Sequence, residues 1–155
     1  MLSLIYVSTA SDELTLDEVE AMAAHSAESN ALAQITGMLA FNSRGFMQLL
    51  EGNGSDVLAV MRKIERDPRH TNISYIRQDE RRHRECPDWS MRSLITPLTG
   101  IGSASLFTKS LPKEMELDTR ILFTSFASVL NAHDAAQFAT REHKLTRTPD
   151  DASND

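Results

Sequence analysis

The sequence has few of the features that mark secreted or membrane-spanning proteins. It contains one cysteine, Cys86, in 155 residues, so no internal disulfide can form, as is usual in a reducing cytoplasm. Its apolar runs, such as 4–7 and 38–41, are far shorter than the roughly 20 residues of a membrane-spanning helix. The N-terminus also lacks the basic and apolar segments of a secretory signal. These absences predict a cytoplasmic protein that does not enter a membrane.

Positive charge is scarce in the first part of the chain and concentrated in the middle. The whole sequence has 16 basic and 22 acidic residues, a net charge of −6. Residues 1–60 contain one basic side chain, Arg44, and eight acidic ones, whereas residues 61–93 contain nine basic and six acidic ones. The overall acidity argues against direct nucleic-acid binding, although the basic middle could attract a phosphate group. The five histidines lack paired metal-ligand spacing, so we expect no metal site.

Hydrophobic patterning predicts an α+β fold in the first 95 residues. Strand patterns cover residues 2–8, 36–41, 46–51, 72–80 and 89–95, with helical patterns after the first and third of them. The resulting order, β-α-β-β-α-β-β, is the ferredoxin-like order plus one strand. We expect one antiparallel or mixed sheet with both helices on one face. Gly45 is predicted to take a positive φ in the turn before the third strand.

Capping signals give the limits of the two helices. Thr15 and Glu18 form a capping-box pattern at the start of the first helix. Its predicted inner face consists of Leu16, Val19, Ala23, Ala27 and Asn30. Asn53 or Ser55 can cap the second helix, which Pro68 terminates.

The sequence after residue 95 has a different character. We predict a C-terminal helical extension over 96–143 and a disordered tail over 144–155, where apolar residues are few. Leu117 and Ile121 begin a helical apolar pattern that predicts one helix over about 117–139. Such a helix has to bury its apolar face. It could pack on the sheet face opposite the other helices, at a homodimer interface or against a partner protein.

Three polar residues occupy positions where an ordinary core would have apolar ones. Tyr6 lies in the first strand, Asn30 ends the inner face of the first helix, and Gln48 interrupts the apolar third strand. Each alone could face water or satisfy backbone groups. Together, on three elements that can converge, they indicate a ligand with polar edges. Amide side chains suit a ring that alternates carbonyl and N–H groups.

An ordered set of short motifs carries a family resemblance. The stretches are LIYVS (4–8), Asn30, ITGMLAF (35–41), GFMQLLEG (45–52), DPRH (67–70) and WSM (89–91). In this order and spacing the chain resembles the BLUF domain, a blue-light sensor using FAD, over residues 1–95. The resemblance implies noncovalently bound FAD between the two helices. Gln34 departs from the family pattern, because many relatives have glycine there.

The resemblance also implies roles for the three polar residues. Tyr6 would donate an electron and a proton to the photoexcited flavin. Gln48 would bridge Tyr6 and the flavin N5/O4 edge, and its rearrangement, by rotation or by tautomerisation, would be the switch. Asn30 would hold the pyrimidine edge of the ring.

Five further positions match the family motifs. Asp67, Arg69 and His70 would anchor the polar side and ribityl chain of FAD, with Arg69 as the direct contact. Trp89 and Met91, in the last strand, would relay the signal by their placement relative to Gln48.

These inferences predict a blue-light receptor rather than an enzyme. A reversible signalling state would pass through the last strand and the C-terminal helices of a homo-oligomer to a protein partner. One alternative is a small flavin-dependent oxidoreductase, which steady NAD(P)H oxidation in the dark would reveal. Another is a ferredoxin-like interaction module without a chromophore, which would stay colourless in the presence of flavin.

Overall fold

The computed structural model of the protein describes residues 1–95 and 103–128. Its elements are β1 Leu2–Ala10, α1 Leu16–Leu32, β2 Thr36–Phe41, β3 Gly45–Gly52, α2 Gly54–Glu65, β4 His70–Glu80, β5 Arg92–Ile95, α3 Ser103–Ser110 and α4 Leu117–Ser128. The α+β class and the predicted order of the first seven elements are confirmed. No helix within the described ranges is long and apolar enough to cross a membrane. The predicted tail, 144–155, lies outside the described residues, as do 96–102 and 129–143 of the predicted extension.

The five strands form one mixed sheet in the order β4-β1-β3-β2-β5. All neighbouring strands are antiparallel except β2 and β5, which are parallel. β1 and β3 therefore occupy the middle of the sheet, where Tyr6 lies directly opposite Gln48. Side chains of such a cross-strand pair lie on the same face and within reach of each other.

Helices cover both faces of the sheet. α1 and α2 pack on one face, through Val19 and Val57 among others, and this confirms the prediction of two helices on one face. α3 and α4 pack on the opposite face, through Phe107 and Phe123. Of the three places left open for the C-terminal helix, the described part of it occupies the opposite sheet face. Because both faces are covered, every residue of β3 is buried.

The start of α1 follows its capping signal, but the inner face of this helix is shifted from the prediction. The Thr15 hydroxyl accepts a hydrogen bond from the Glu18 backbone N–H, and the Glu18 carboxylate accepts one from the Thr15 N–H. Val19 and Ala23 are buried as predicted. Leu16 is 51% exposed, so its predicted place on the inner face is wrong. The buried face of α1 begins at Val19 and continues through Ala23 to Asn30.

The turn between β2 and β3 corrects a prediction about Gly45. Ser43, with φ 71°, takes the left-handed conformation instead. Gly45 is required by a close approach, because a Cβ atom there would lie 2.3 Å from the Ser8 carbonyl oxygen. The Asn42 side-chain oxygen accepts hydrogen bonds from the backbone N–H groups of Arg44 and Gly45 and closes the turn.

The last strand is shorter than predicted. The pattern predicts a strand over 89–95, but β5 is Arg92–Ile95, so Trp89 and Met91 precede it. The Ser90 carbonyl oxygen accepts a hydrogen bond from the Asn30 side chain instead of joining the sheet. Pairing with β2 accordingly begins only at Arg92, opposite Met38.

The C-terminal helical region also differs from the prediction of one helix over 117–139. Two helices, α3 and α4, precede residue 129, and residues 129–139 lie outside the described range. Leu117 and Ile121 are 73% and 56% exposed, so the predicted inner face is wrong at both positions. The buried face runs instead through Thr119, Phe123 and Ala127. Thr119 can lie inside because a buried ion pair provides its hydrogen-bond partners.

Candidate cofactor-binding site

A cavity of about 440 Å³ lies between α1, α2 and the sheet. This volume is within the range of roughly 300–1,000 Å³ that is usual for small-molecule sites. The six predicted cofactor residues all line it: Tyr6, Asn30, Gln48, Asp67, Arg69 and His70. Leu39, Phe46 and Ile64 contribute apolar walls.

Tyr6 and Gln48 form a short hydrogen-bonded chain at the bottom of the cavity. The Tyr6 hydroxyl donates to Gln48 Oε1 at 2.5 Å, and Gln48 Nε2 donates to Met91 Sδ at 3.5 Å. All three side chains are buried. Burial raises the pKa of the Tyr6 phenol well above its usual value, with smaller contributions from the charges of Asp67 and Tyr75 in the same direction. Tyr6 is therefore a protonated donor, and thioether sulfur is a weak acceptor that holds the Gln48 amide only lightly.

Asn30 links the cavity to the segment that precedes β5. It is the buried polar residue of α1, near the C-terminal end of the helix. Its Nδ2 donates to the Ser90 carbonyl oxygen at 3.0 Å. Asn30 and Gln48 thus contact consecutive residues, Ser90 and Met91, from two different elements.

Asp67 and Arg69 form an ion pair at the rim of the cavity. Arg69 Nε lies 2.9 and 3.0 Å from the two Asp67 carboxylate oxygens, and a third contact comes from the terminal guanidinium nitrogen. These hydrogen bonds lower the pKa of the Asp67 carboxyl despite the opposing effect of its burial. The Arg69 side chain lines the cavity and is 50% exposed, so it lies where the cavity meets solvent.

His70 connects β1, β4 and the end of α2. Its Nε2 lies 2.6 Å from the Ile64 carbonyl oxygen, and its Nδ1 lies 2.8 Å from the Ser8 hydroxyl. A carbonyl oxygen can only accept, so Nε2 carries a proton. In the neutral ring Nδ1 then accepts from Ser8. Both ring nitrogens are occupied, and His70 forms a fixed wall of the cavity.

Trp89 and Met91 lie in different environments. Met91 belongs to the α1/α2-side core and touches Gln48. Trp89 is half-buried and packs against the α3/α4-side core, with the Arg92 guanidinium carbon 4.6 Å from its ring centroid. The described structure therefore brings Met91, and not Trp89, to the polar chain.

Sequence reasoning missed several residues of the cavity wall. His25 and Ser26 on α1, and Lys63 on α2, also line it. Ser26 lies four residues before Asn30, on the same side of α1, and this spacing was a usable signal. Lys63 had none, because a lysine at the end of a helix normally belongs to a solvated face.

The donors and acceptors of the cavity fit a flavin. A planar ring with alternating carbonyl and N–H groups needs apolar walls and a few amide partners along one edge. Gln48 and Asn30 provide amides on the inner side, and Arg69 provides a cation at the open side for a polar tail. The residues that are present are therefore suited to FAD.

Comparisons with known proteins support this assignment. Residues 1–92 match the family described as BLUF, sensors of blue-light using FAD. The blue light- and temperature-regulated antirepressor BluF of Escherichia coli (strain K12) is 39% identical over 71 residues, which are 46% of this chain and 18% of that protein. The chain spans less than a fifth of the length of the curated relatives it matches.

Two of the similar solved structures have the same fold, and each is 26% identical to this chain. A bacterial light-regulated adenylyl cyclase is 26% identical with a TM-score of 0.60, over 94% of this chain and 35% of that one. The dark-state structure of BlrB, a BLUF protein, is 26% identical with a TM-score of 0.63, over 83% of this chain and 96% of that one.

The family match covers more than half of the chain. It confirms the family predicted from the motifs and the predicted cofactor, FAD. It also confirms that this domain is a light sensor and not an enzyme. The chain belongs to the BLUF family of blue-light sensors that use FAD.

Proposed function

We propose that this chain is a blue-light receptor in which Tyr6 and Gln48 carry out the photochemistry and a protein partner receives the signal. The observation that supports this best is the buried chain from the Tyr6 hydroxyl through Gln48 to Met91. It joins a redox-active phenol to an amide that can exchange donor and acceptor, and to a residue in the segment before β5.

FAD, when bound, supplies absorption of blue light and an excited state that accepts an electron. Tyr6 is the electron donor in this proposal. A phenol that has lost an electron is a strong acid, so its proton moves to Gln48 Oε1 along the existing 2.5 Å hydrogen bond. The high pKa of Tyr6 before excitation prevents this transfer in the dark.

Gln48 then changes its hydrogen bonds. A rotated amide turns Oε1 toward Met91 Sδ, and since a thioether cannot donate, the present contact from Nε2 is lost. An amide that tautomerises changes its donors without rotating. Both routes alter the hold of Gln48 on Met91. The charges would balance because Gln48, having taken a proton at Oε1, would release one from Nε2 to the cofactor that holds the electron from Tyr6.

Four more residues complete the proposed FAD site. Asn30 holds the polar edge of the ring, and His70 shapes the wall. Arg69, oriented by Asp67, meets the ribityl chain or the phosphates at the rim. This use of Arg69 agrees with its half-exposed position at the entrance.

We propose that the signal leaves through Trp89, Met91 and the C-terminal helices. Residues 1–95 form the sensor domain, and 96–143 carry the signal to a partner or to a second copy of the chain. Exposed apolar side chains on α3 and α4, Leu106 and Leu117 among them, support contacts with another protein. The single cysteine supports a cytoplasmic site of action.

Absorption spectroscopy of the purified chain tests the photochemistry. The expected result is a flavin spectrum with a small red shift under blue light that reverses in the dark. Tyr6→Phe and Gln48→Ala should bind flavin without the shift. Tyr75→Phe and Gln78→Ala are matched controls on β4 and should keep it. A protein that stays colourless with added flavin, or an unchanged shift in Tyr6→Phe, contradicts the proposal.

A further inference from the structure

One short segment, residues 84–91, touches both the cofactor cavity and the C-terminal helices. At its cavity end, Ser90 accepts a hydrogen bond from Asn30 and Met91 accepts one from Gln48. The Trp89 carbonyl oxygen accepts from the backbone N–H of Gly37 at 2.8 Å. Three consecutive residues of the segment are thus held by groups of α1, β2 and β3.

The other end of the segment is fixed to β3 by a buried carboxylate. Glu51 is fully buried, and its two carboxylate oxygens accept the backbone N–H groups of Glu85 and Cys86 at 2.5 and 3.1 Å. The Thr36 hydroxyl donates to the same carboxylate at 2.9 Å. The Trp89 N–H donates to the Cys86 carbonyl oxygen at 3.2 Å, so a turn joins the two ends directly.

The Glu85 side chain reaches from this segment to α4. Its Oε1 accepts from the Thr119 hydroxyl at 2.7 Å and from the Glu116 backbone N–H at 3.1 Å. Its Oε2 pairs with the Arg77 guanidinium at 2.7 Å. The side chains of Arg77 and Glu85 are only 8% and 2% exposed, so water cannot readily replace either partner.

We infer that Glu85 is a positioning residue that couples the cavity to the start of α4. The inference rests on the proposed photochemistry at Gln48. Glu85 is bound through its backbone to Glu51 and through its carboxylate to Thr119, so a shift of the segment moves both attachments together. A change at Met91 therefore reaches α4 through buried hydrogen bonds that have no solvent substitute.

The network has room for a second arrangement. Arg77 Nε is the one buried side-chain nitrogen or oxygen without a hydrogen-bond partner among the described residues. The other Arg77 nitrogens already bind Ser3, Thr119, Glu85 and Asp118. A displacement that gives Nε an acceptor compensates in part for a lengthened Glu85–Thr119 contact. The unpaired Nε thus leaves one donor free for a different arrangement of the network.

Hydrogen exchange of the FAD-loaded chain in darkness and under blue light tests the coupling. Thr119→Val removes the hydroxyl but keeps the shape and the Arg77–Glu85 pair. Thr119→Ser restores the hydroxyl, and Thr124→Val makes the same change five residues further along α4. The flavin absorption shift is recorded on every sample.

We expect wild type, Thr119→Ser and Thr124→Val to show a light-dependent change in exchange over residues 113–123. Thr119→Val should lose that change and keep the full flavin shift. A purely structural role would raise exchange equally in both conditions and leave the difference intact.

Each other outcome overturns the inference. A light-dependent change that persists in Thr119→Val excludes the coupling, as does wild type with a flavin shift but no change anywhere in 103–128. Loss of the change in Thr124→Val shows a general weakness of α4. Loss of the flavin shift in Thr119→Val assigns Thr119 to the cofactor site instead. Wild type without any flavin shift defeats the proposed photochemistry itself, which is a different result.

Discussion

The two faces of the sheet bury polar groups of different kinds. On the α1/α2 face the groups are neutral: the Tyr6 phenol, the amides of Asn30 and Gln48, and the Met91 thioether. On the α3/α4 face they include an ion pair: Arg77 and Glu85 bind each other and the Thr119 hydroxyl, and the Glu51 carboxyl group accepts the Glu85 backbone N–H. Adjacent residues of the same strands point to the two faces, so the contrast arises within a single sheet.

The difference in charge implies a difference in mobility. A neutral hydrogen bond contributes about 0.5–1.5 kcal/mol to stability, so an amide can exchange partners at low cost. Removing one partner of a buried ion pair costs about 3–5 kcal/mol, because the other charge is left without compensation. The cavity face can therefore exchange hydrogen-bond partners, whereas the opposite face keeps its ion pair and transmits a displacement to α4.

The largest effect should come from breaking the charged face. Arg77→Leu leaves the Glu85 carboxylate buried without its cation. We expect the free energy of unfolding to fall by about 3–5 kcal/mol in urea titrations followed by circular dichroism. Arg62→Leu, at an exposed position on α2, is the matched control and should change it by less than about 0.5 kcal/mol. Similar losses of unfolding free energy in Arg77→Leu and Arg62→Leu would show that the buried Arg77–Glu85 pair is no more important to stability than an exposed arginine.

A smaller effect should come from breaking the neutral face. Gln48→Leu leaves the buried Tyr6 hydroxyl without its acceptor, so the flavin-free protein should lose about 1–3 kcal/mol of unfolding free energy. Adding Tyr6→Phe removes the orphaned donor, and most of the loss should be recovered. A double variant whose loss equals the sum of the two single losses would show that the Tyr6–Gln48 bond contributes nothing to stability.

Local signals in the sequence were sufficient for most of the fold. The Thr15–Glu18 box and the Asn53 cap are formed by neighbours in the chain, so a short motif predicts them. Tyr6 and Gln48 were detectable because each is a polar residue in an apolar strand. Their contact additionally requires the β1–β3 register, which the alternation of both strands constrains.

The remaining features depend on contacts between distant parts of the chain. Glu85 and Thr119 are separated by 34 residues, and no periodicity relates them. Their contact is also why the buried face of α4 includes Thr119 while Leu117 is exposed. Met91 was expected within a strand, but the Asn30 side chain captures the neighbouring Ser90 carbonyl and delays the strand.

The pH dependence of stability should separate the faces further. Burial raises the pKa of the Glu51 carboxyl above its ordinary 4.5, although hydrogen bonds from two backbone N–H groups and Thr36 oppose the shift. Between pH 4.5 and the folded-state pKa of Glu51, the folded protein holds a proton that the unfolded chain has released. The contribution of Glu51 to the free energy of unfolding is therefore complete below pH 4.5 and is lost as the pH rises through the folded-state pKa.

This loss of unfolding free energy is at most about 1.4 kcal/mol per pH unit for one proton. Glu51→Gln should remove it in urea titrations from pH 4.5 upward. Asp67 provides the control on the cavity face. The hydrogen bonds from Arg69 lower the pKa of Asp67 below 3.8. The contribution of Asp67 to the free energy of unfolding is therefore lost only as the pH falls below 3.8. Asp67→Asn should leave the slope above pH 4.5 unchanged. A slope that persists in Glu51→Gln assigns it to another group.

The smallest expected effect concerns the backbone at Gln34, whose carbonyl oxygen accepts a hydrogen bond from Arg84, the neighbour of Glu85 in the chain. Gln34 has φ 55°, a conformation that costs a non-glycine residue about 1–2 kcal/mol. Glycine removes that cost. The greater conformational entropy of glycine in the unfolded chain opposes this gain by about 0.4–1 kcal/mol. We therefore expect Gln34→Gly to raise the unfolding free energy by about 0.5 kcal/mol. Gln78→Gly, at a position of β4 paired with Leu4 of β1, lacks the relief and should lower the unfolding free energy by about 0.5–1 kcal/mol. Equal losses in the two variants would show that the left-handed backbone at Gln34 carries no strain that glycine relieves.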